Sequence, residues 1–312
     1  LAFEILPGPY GVANLRIAER LRGASQEPAA RPQVVLTDTL ESPLAGPPQM
    51  GLFGDAQVMH DEQERARAIK SQRRVTVIIG NPPYRRVDKK GSGRGGGGWV
   101  LDGPVPGRQQ LDQSLFDDIL DVAKRHTIFS HHASLYNLYV YFWRWAIWKA
   151  FEAHGPGPGI VAFITGSSWL TGPGFVGLRK LVREVADEAW ILDLGGDNKG
   201  AVTEQNVFAI ETPVAVVILA RYGEGSRSQP ARIRYRRIQG DRAAKLEAMK
   251  AIGDSERPLD GPWQDVPSGW LDRMVPDTGT GSWDAMPALA DLMPWQQPGC
   301  KFNRLWPIGP DA

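Results

Sequence analysis

The first 220 residues alternate between short apolar runs and longer segments whose apolar positions recur at helical spacing. The short runs predict strands, and they lie at residues 1–5, 33–36, 75–79, 160–164, 190–194 and 214–219. The run at 75–79 consists of β-branched residues alone, which is typical of a strand buried on both faces of a parallel sheet.

Segments with helical spacing separate these strands. They lie at 9–22, within 41–74, and at 111–125, 134–153 and 175–186. The segment at 134–153 carries too many aromatic residues for one helix face, so it predicts a helix that is buried on most sides. The alternation of strand and helix predicts an α/β domain with a mostly parallel sheet.

The pattern changes near residue 225. The sequence beyond it is charged, rich in proline and glycine, and weakly periodic, and it contains five tryptophans. We therefore predict a first domain at 1–225, a junction at 226–260 and the start of a partial second domain at 261–312. Because the chain opens on Leu1 without an initiator methionine or a signal peptide, we expect a fragment of a longer polypeptide.

The formal net charge of +1 hides two basic segments. Residues 65–94 carry ten Lys or Arg against one acid, and residues 227–245 carry seven against one. Concentrated positive charge on an otherwise acidic chain is typical of a protein with a polyanionic partner. For either segment taken alone, a solvated loop is the favoured interpretation.

The single cysteine, Cys300, excludes an internal disulfide and a cysteine-based zinc site, and it fits a reducing, cytoplasmic location. The histidines show no spacing with acidic residues that would predict a metal site, so none is expected. No apolar run reaches the length of a membrane span, and we expect no membrane partner.

The most informative segment is the strand at 75–79 followed by Gly80 and the four residues Asn81, Pro82, Pro83 and Tyr84. A chance occurrence of these four residues in a chain of this length has a probability of about one in a thousand. They follow the carboxyl end of a predicted strand, which is where open α/β sheets place ligands. The alternative is a proline-rich turn in which the tyrosine packs locally.

The residue types in this turn suit the activation of an exocyclic amine on a planar base. Such an amine is a poor nucleophile because its lone pair is delocalised into the ring. The side-chain oxygen of Asn81 and the carbonyl of Pro82 can accept its two N–H groups and localise that lone pair. The prolines stiffen the turn, and Tyr84 offers a face on which a flipped-out base can stack.

The segment VIIGNPPY resembles motif IV of amino-group methyltransferases that use S-adenosylmethionine, and the NPPY form is more typical of adenine-N6 than of cytosine-N4 enzymes. The order of the neighbouring signals resembles the gamma class. That resemblance implies a Rossmann-like sheet, with Glu4 on the cofactor ribose, Ile5 packed on the cofactor adenine and Asp38 on the adenine amine. It also implies that Phe208 stacks on the base opposite Tyr84, while a core position for Phe208 stays equally open.

Longer stretches resemble the methyltransferase part of Type ISP restriction–modification enzymes. They include SLYNLYVYFWRWAIWKAFE, IVAFITGSSWLTGPGFVGLRKLVRE, NVFAIETPVAVVIL and PWQQPGCKFNR. The resemblance makes 1–225 the catalytic domain and 261–312 the start of a target-recognition domain. It implies a parent chain whose motor, nuclease and remaining recognition regions lie outside these 312 residues, and double-stranded DNA as the partner.

The glycine-rich cofactor loop of that family, motif I, would precede Leu1. A permuted arrangement, in which the glycine-rich loop at 193–200 takes its place, is the alternative. Basic residues beside the catalytic turn are plausible phosphate contacts. They are Arg73, Arg74, Arg85, Arg86, Lys89 and Lys90.

The sequence therefore predicts an adenine-N6 DNA methyltransferase region of a restriction–modification enzyme. Three alternatives stay open: methylation of cytosine N4, methylation of a glutamine amide in a protein, and a DNA-binding fragment without catalysis. The aromatic residue Trp169 is equally compatible with the core and with the base pocket.

Overall fold

The computed structural model describes residues 1–22, 33–44, 55–86, 96–103, 114–197, 204–223, 228–277, 286–287 and 292. Contacts divide the chain into a unit at Leu1–Pro276 and a second unit at Asp277–Ala312. The fold and the sites below belong to the first unit. The predicted residues Lys89 and Lys90, and the segment at 294–304, lie outside the described residues.

The strands of the described residues form two sheets. Their bounds are β1 Ala2–Glu4, β2 Val34–Leu36, β3 Val77–Gly80, β4 Gly159–Gly166, β5 Glu188–Gly195, β6 Val214–Arg221, β7 Arg232–Arg237 and β8 Gln264–Asp265. Strands β1 and β2 pair in parallel, and the other six are ordered β3-β4-β6-β5-β7-β8. The pairs β3–β4 and β5–β7 are parallel, and β6 runs against both of its neighbours.

Helices lie between many of these strands. Their bounds are α1 Pro7–Arg22, α2 Asp55–Gln72, α3 Gly98–Asp102, α4 Asp117–His126, α5 Phe129–His132, α6 Leu138–Ile147, α7 Val176–Val185 and α8 Arg242–Gly253. Helices α3 to α6 all lie between β3 and β4. The predicted α/β class with a mostly parallel sheet is confirmed, with β6 and β8 as antiparallel members. Within the described part of the chain, no helix has the length and apolar character needed to cross a bilayer.

Helix α6 forms the centre of the core. Its aromatic side chains other than Phe142 are buried as predicted, and the helix continues into a π-helical turn at Trp148–Glu152. The ring of Trp143 packs on Phe163 of β4 at 4.7 Å and on Trp169 at 5.7 Å. Because Trp169 has no exposed surface, it is a core residue, and this settles the alternative that the sequence left open.

The prediction that the strand at 75–79 is buried on both faces is wrong. Ile79 is 80% exposed and Val77 is 51% exposed. The reason is the position of β3 at the end of the six-stranded sheet, where only β4 pairs with it among the described strands. Both side chains line a cavity instead of packing under a neighbouring strand.

Regular structure continues past residue 225. Strand β7 pairs with β5, and its residues Ile233 and Tyr235 are buried. Helix α8 follows, and the side chain of Asp241 caps it by accepting a hydrogen bond from the amide of Ala244 at 2.8 Å. The sheet thus extends into the segment interpreted as a junction, while the predicted division into 1–225, 226–260 and 261–312 stays a prediction.

Candidate active site

One edge of the six-stranded sheet collects the loops that carry the predicted chemistry. Strands β3, β4 and β5 share one direction, and their carboxyl ends meet where β6 begins. The register pairs Gly80 with Phe163, and Gly166 with Val214. Asn81 therefore lies at the same edge as the loops that follow β4 and β5, as expected for a ligand site in an α/β sheet.

The Asn-Pro-Pro-Tyr turn leaves β3 and is fixed at both ends. Asn81 is exposed, Pro82 is buried and Tyr84 is half-buried. The hydroxyl of Tyr84 donates to the Oδ1 of Asn81 at 2.8 Å. The amide of Leu138 at the start of α6 donates to the carbonyl of Arg85 at 2.9 Å, so the turn is tied to the most buried helix of the core.

Tyr84 packs between two apolar clusters. Its ring meets Tyr139 edge to face at 6.3 Å, and it also contacts the cluster formed by Leu194, Val207, Val214 and Ile238. Burial raises the pKa of the Tyr84 hydroxyl to about 12. The hydroxyl is therefore a neutral donor at physiological pH, and the bond to Asn81 does not depend on pH there.

A cavity of about 860 Å³ joins the two sheets. It is lined by Glu4 at the end of β1 and Ile5 after it, by Asp38 after β2, and by Asn81, Pro82 and Pro83 after β3. Aromatic side chains of α6 and β4 form another part of its wall. The structure thus brings the three predicted cofactor residues together with the predicted catalytic turn, although the two groups are more than forty residues apart in sequence.

Glu4 and Asp38 each bind backbone amides through one carboxylate oxygen. The Oε1 of Glu4 accepts from the amides of Ile5 and Leu6 at 2.9 and 3.0 Å. The Oδ1 of Asp38 accepts from the amide of Leu40 at 2.9 Å. No hydrogen bond to a described residue uses the second oxygen of either carboxylate, so each can accept from a ligand.

An ion-pair network holds the loop that follows β5. The Oδ2 of Asp193 accepts from the hydroxyl of Tyr235 at 2.6 Å and from Arg237 at 2.8 Å. Arg237 also reaches Glu204 at 2.6 Å, and Lys245 reaches the same carboxylate at 2.8 Å. Burial alone would raise the pKa of Glu204, but the hydrogen bond from Lys245 and further contacts lower it below its ordinary value.

This network was not predicted from the sequence. The glycines of the loop at 193–200 suggested an alternative cofactor loop. Two of them, Gly195 and Gly196, adopt positive φ angles of 58° and 93°. The basic residues that fix the loop come from β7 and α8, beyond the predicted boundary at 225. The Asp241 cap before an alanine-rich segment was the signal that could have revealed α8.

Phe208 lies in the loop that leads into β6, at the same edge as Asn81. It is 43% exposed, and its amide donates to the Oδ1 of Asn206 at 2.8 Å. The preceding residue, Val207, is buried in the cluster that Tyr84 contacts. The next residue, Ala209, has a positive φ of 55°, so the loop turns sharply just after the phenylalanine.

The predicted phosphate contacts occupy two different places. Arg85 and Arg86 are exposed and directly follow the Asn-Pro-Pro-Tyr turn. Arg73 and Arg74 are also exposed but precede β3, so they lie at the opposite end of that strand from Asn81, although both line the same cavity as Asn81. Arg74 contacts the carbonyl of Pro156 at 3.5 Å.

Comparisons with known proteins fit this geometry. A model of the family described as Eco57I restriction-modification methylase matches residues 54–198, which include the Asn-Pro-Pro-Tyr turn. No curated protein sequence matches the chain significantly. Residues 54–198, somewhat less than half of the chain, therefore resemble the restriction–modification methylases.

Solved structures of restriction–modification enzymes are similar to this chain in fold. The ATP-dependent Type ISP restriction-modification enzyme LlaBIII bound to DNA is 22% identical, with a TM-score of 0.65 over 91% of this chain and 18% of that chain. The DrdV–DNA complex is 25% identical, with a TM-score of 0.57 over 86% of this chain and 24% of that chain. A nuclease-deletion mutant of the Type ISP enzyme LlaGI with a DNA substrate mimic is 21% identical, with a TM-score of 0.60 over 87% and 24%.

These matches confirm the predicted resemblance to the methyltransferase region of Type ISP restriction–modification enzymes. The chain spans between 18% and 24% of the length of the three solved chains.

Proposed function

We propose that this chain is the part of a restriction–modification enzyme that transfers a methyl group from S-adenosylmethionine to the N6 amine of adenine in double-stranded DNA. The observation that carries the proposal is the shared cavity that Glu4, Asp38 and Asn81 line together. Two carboxylates and an amide at one cavity suit a ligand with hydroxyl and amine donors beside an amine to be activated. The family match over 54–198 supports methylation as the reaction class.

The residues present fit the proposed cofactor. The second oxygen of the Glu4 carboxylate would accept from the ribose hydroxyls, and that of Asp38 from the adenine amine, because neither bonds to a described residue. Ile5 lines the same cavity and is 47% exposed, so it offers apolar surface to the adenine ring. When bound, S-adenosylmethionine supplies a methyl group on a positively charged sulfur.

The catalytic turn would prepare the adenine amine for methylation. Asn81 accepts one N–H through Oδ1 and Pro82 accepts the other through its carbonyl, so the nitrogen lone pair is drawn out of the ring. The two prolines hold these acceptors in place before the base arrives, which limits the reorganisation needed at the site. Tyr84 and Phe208 would stack on the two faces of a base that has left the duplex.

Adenine and DNA are the substrate choices that the resemblance and the charge pattern favour. The NPPY form of the turn resembles adenine-N6 enzymes, while cytosine N4 and a protein glutamine amide are the competing amines. Arg85 and Arg86 place exposed positive charge directly beside the turn. Contacts from such residues to phosphates give affinity for DNA that does not depend on its sequence.

The test is methyl transfer from tritium-labelled S-adenosylmethionine to genomic DNA prepared from a methylation-deficient strain. Mass spectrometry of the digested nucleosides distinguishes N6-methyladenine from N4-methylcytosine, and a protein substrate reports amide methylation. We expect N6-methyladenine from the wild-type chain and none above background from Asn81→Ala. Because Asn81 is exposed, the variant should unfold at the same temperature and keep its DNA affinity.

Transfer by Asn81→Ala at the wild-type rate would contradict the catalytic assignment. N4-methylcytosine or methylated glutamine as the product would replace the proposed substrate with one of the two competing amines. DNA binding by the wild-type chain without any cofactor binding would identify a DNA-binding fragment instead.

A further inference from the structure

Lys70 is a buried lysine in the last turn of α2, and it is only 1% exposed. Its ammonium group lies 2.5 Å from the carbonyl oxygen of Asp38 and 3.1 Å from the hydroxyl of Thr37. It also reaches the carbonyl of Glu41 at 3.5 Å. All three partners belong to the loop that follows β2, so one side chain ties that loop to α2.

Burial of this charge is costly. It lowers the pKa of Lys70 to about 8, although the nearby carboxylates of Glu41 and Asp38 act in the opposite direction. An apolar residue would fill the same position without that cost. A buried lysine at this position therefore indicates a role that a hydrocarbon side chain does not perform. Its hydrogen bonds show that it holds the loop after β2.

Lys70 touches both segments that carry the proposed cofactor residues. Its ammonium group lies 5.7 Å from the ring centroid of Phe3, the residue before Glu4. On the other side it binds the main chain of Asp38 itself. Strands β1 and β2 are short and pair over three residues each, so their register alone constrains the loops after them weakly.

The backbone of Lys70 extends this connection along the cavity. Its carbonyl accepts from the ammonium group of Lys149 at 2.7 Å, and Lys149 lines the cavity from the helical turn after α6. Lys70 thus connects the loop that carries Asp38 to the helical turn after α6, and both segments line the cavity.

We propose that Lys70 is a positioning residue that holds the carboxylate of Asp38 toward the cavity, where it recognises the 6-amino group of the cofactor's adenine. The inference rests on the proposed function, because it assigns that carboxylate to the cofactor. Lys70 does not line the cavity, so it acts through Asp38 rather than on the ligand. Its effect is therefore on binding and on selectivity for the amine.

The experiment measures binding of two ligands to the 312-residue chain by calorimetry. One is S-adenosylmethionine and the other is its analogue with hydrogen in place of the 6-amino group. For the wild-type chain we expect the analogue to bind about tenfold more weakly, since it lacks the donor for Asp38. For Lys70→Met we expect the cofactor to bind about tenfold more weakly, and both ligands to bind equally.

Lys245→Met is the matched control. Lys245 is equally buried and donates to the carbonyl of Gln205 at 2.8 Å, but its contacts lie around Glu204 rather than the Asp38 loop. We expect this variant to lower the unfolding temperature without changing the preference for the 6-amino group. If Lys70 had a structural role alone, Lys70→Met would also lower the unfolding temperature without changing the preference for the 6-amino group.

The double variant Lys70→Met with Asp38→Ala gives a second readout. If Lys70 acts through Asp38, its loss has little further effect once the carboxylate is gone, and the two changes are not additive. A folded Lys70→Met chain that keeps the wild-type affinity and preference for the amine would overturn the inference alone. A wild-type chain that binds neither ligand would overturn the proposed function as well.

Discussion

The hydroxyl of Tyr84 donates a hydrogen bond to the Oδ1 of Asn81 across 2.8 Å, and this is the atom assigned to accept the target amine. A carbonyl oxygen has two lone pairs, so the tyrosine occupies one and leaves the other for the substrate. In this arrangement the Asn81 amide has its oxygen toward the Tyr84 hydroxyl. The same residue thus contacts the proposed acceptor and, in the proposed function, offers its ring to the base.

This relationship predicts separate effects of the hydroxyl and the ring of Tyr84. Tyr84→Phe removes one hydrogen bond worth about 1 kcal/mol, so we expect kcat for methyl transfer to fall about fivefold at an unchanged KM for DNA. Tyr84→Ala also removes the stacking surface, worth about 1–3 kcal/mol, and should raise KM for DNA in addition. Steady-state kinetics with labelled cofactor measure both constants.

Equal kinetics for Tyr84→Phe and the wild-type chain would show that the hydroxyl does not orient Asn81. Because Tyr84 contacts Tyr139 and a second apolar cluster, the unfolding temperature of each variant is measured as well. A loss of activity that follows only the loss of folded protein would assign the ring to the core.

The turn at 81–84 was predictable because its signal is local. An apolar run and four adjacent residues place Asn81 after a strand, and the structure confirms β3 and the edge where the turn lies. The roles of Glu4 and Asp38 were predicted by resemblance alone, because each is an acid near the end of a short predicted strand. The structure adds that all three residues line one cavity.

Features that depend on packing between distant segments were not predictable. The β-branched run at 75–79 indicates a strand, but its exposure depends on which strands pair beside it, and β3 lies at the end of its sheet. Lys70 belongs to a charged helix that suggests a solvated surface, and its burial follows from the packing of α2 on β2. The tie between Tyr84 and Asn81 requires side-chain geometry that spacing does not encode.

Gly80 is predicted to be essential for the geometry of the catalytic turn. A methyl group on its α-carbon would lie 2.9 Å from the ring of Phe163, which is itself packed against Trp143. Gly80→Ala should therefore destabilise the fold by about 1–3 kcal/mol and displace Asn81, lowering methyl transfer further than the loss of folded protein explains. Urea unfolding and labelled-methyl kinetics measure the two effects.

Gly223→Ala is the control for this change, because no heavy atom of a described residue beyond its chain neighbours lies within 4 Å of the added methyl group. It should leave stability within about 1 kcal/mol of the wild-type value and leave kinetics unchanged. If Gly80→Ala were as benign as this control, β3 would tolerate a side chain at the residue before the turn, and the close approach to Phe163 would not constrain Asn81.

The placement of the basic residues predicts unequal contributions to DNA affinity. Arg85 and Arg86 follow the catalytic turn, whereas Arg73 and Arg74 lie at the other end of β3. Replacing Arg85 and Arg86 with alanine should reduce the slope of log affinity against log salt by about 0.9 for each phosphate that the protein no longer neutralises. Fluorescence anisotropy with a labelled duplex over a salt series measures that slope.

The pair Arg73→Ala and Arg74→Ala serves as the matched control, since it removes the same charge from two exposed positions. We expect the slope to stay at the wild-type value. An equal reduction for both pairs would mean that DNA also contacts the opposite end of the strand, and it would contradict the assignment of phosphate binding to the edge that carries Asn81.

Phe208 is predicted to form the second wall of the base pocket. It is 43% exposed in a loop at the same edge as Asn81, so its removal costs little folding energy. Phe208→Ala should raise KM for DNA by about fivefold or more because the base has no ring to stack on, with the unfolding temperature unchanged, while Phe208→Tyr retains the wild-type KM.

Tyr222→Ala is the control, because Tyr222 is 64% exposed and follows the last residue of β6, at the opposite edge of the sheet. A flipped base can be reached by a ring at the sheet edge that carries Asn81 but not by one at the opposite edge. Equal KM values for the two alanine variants would therefore show that Phe208 does not belong to the base pocket.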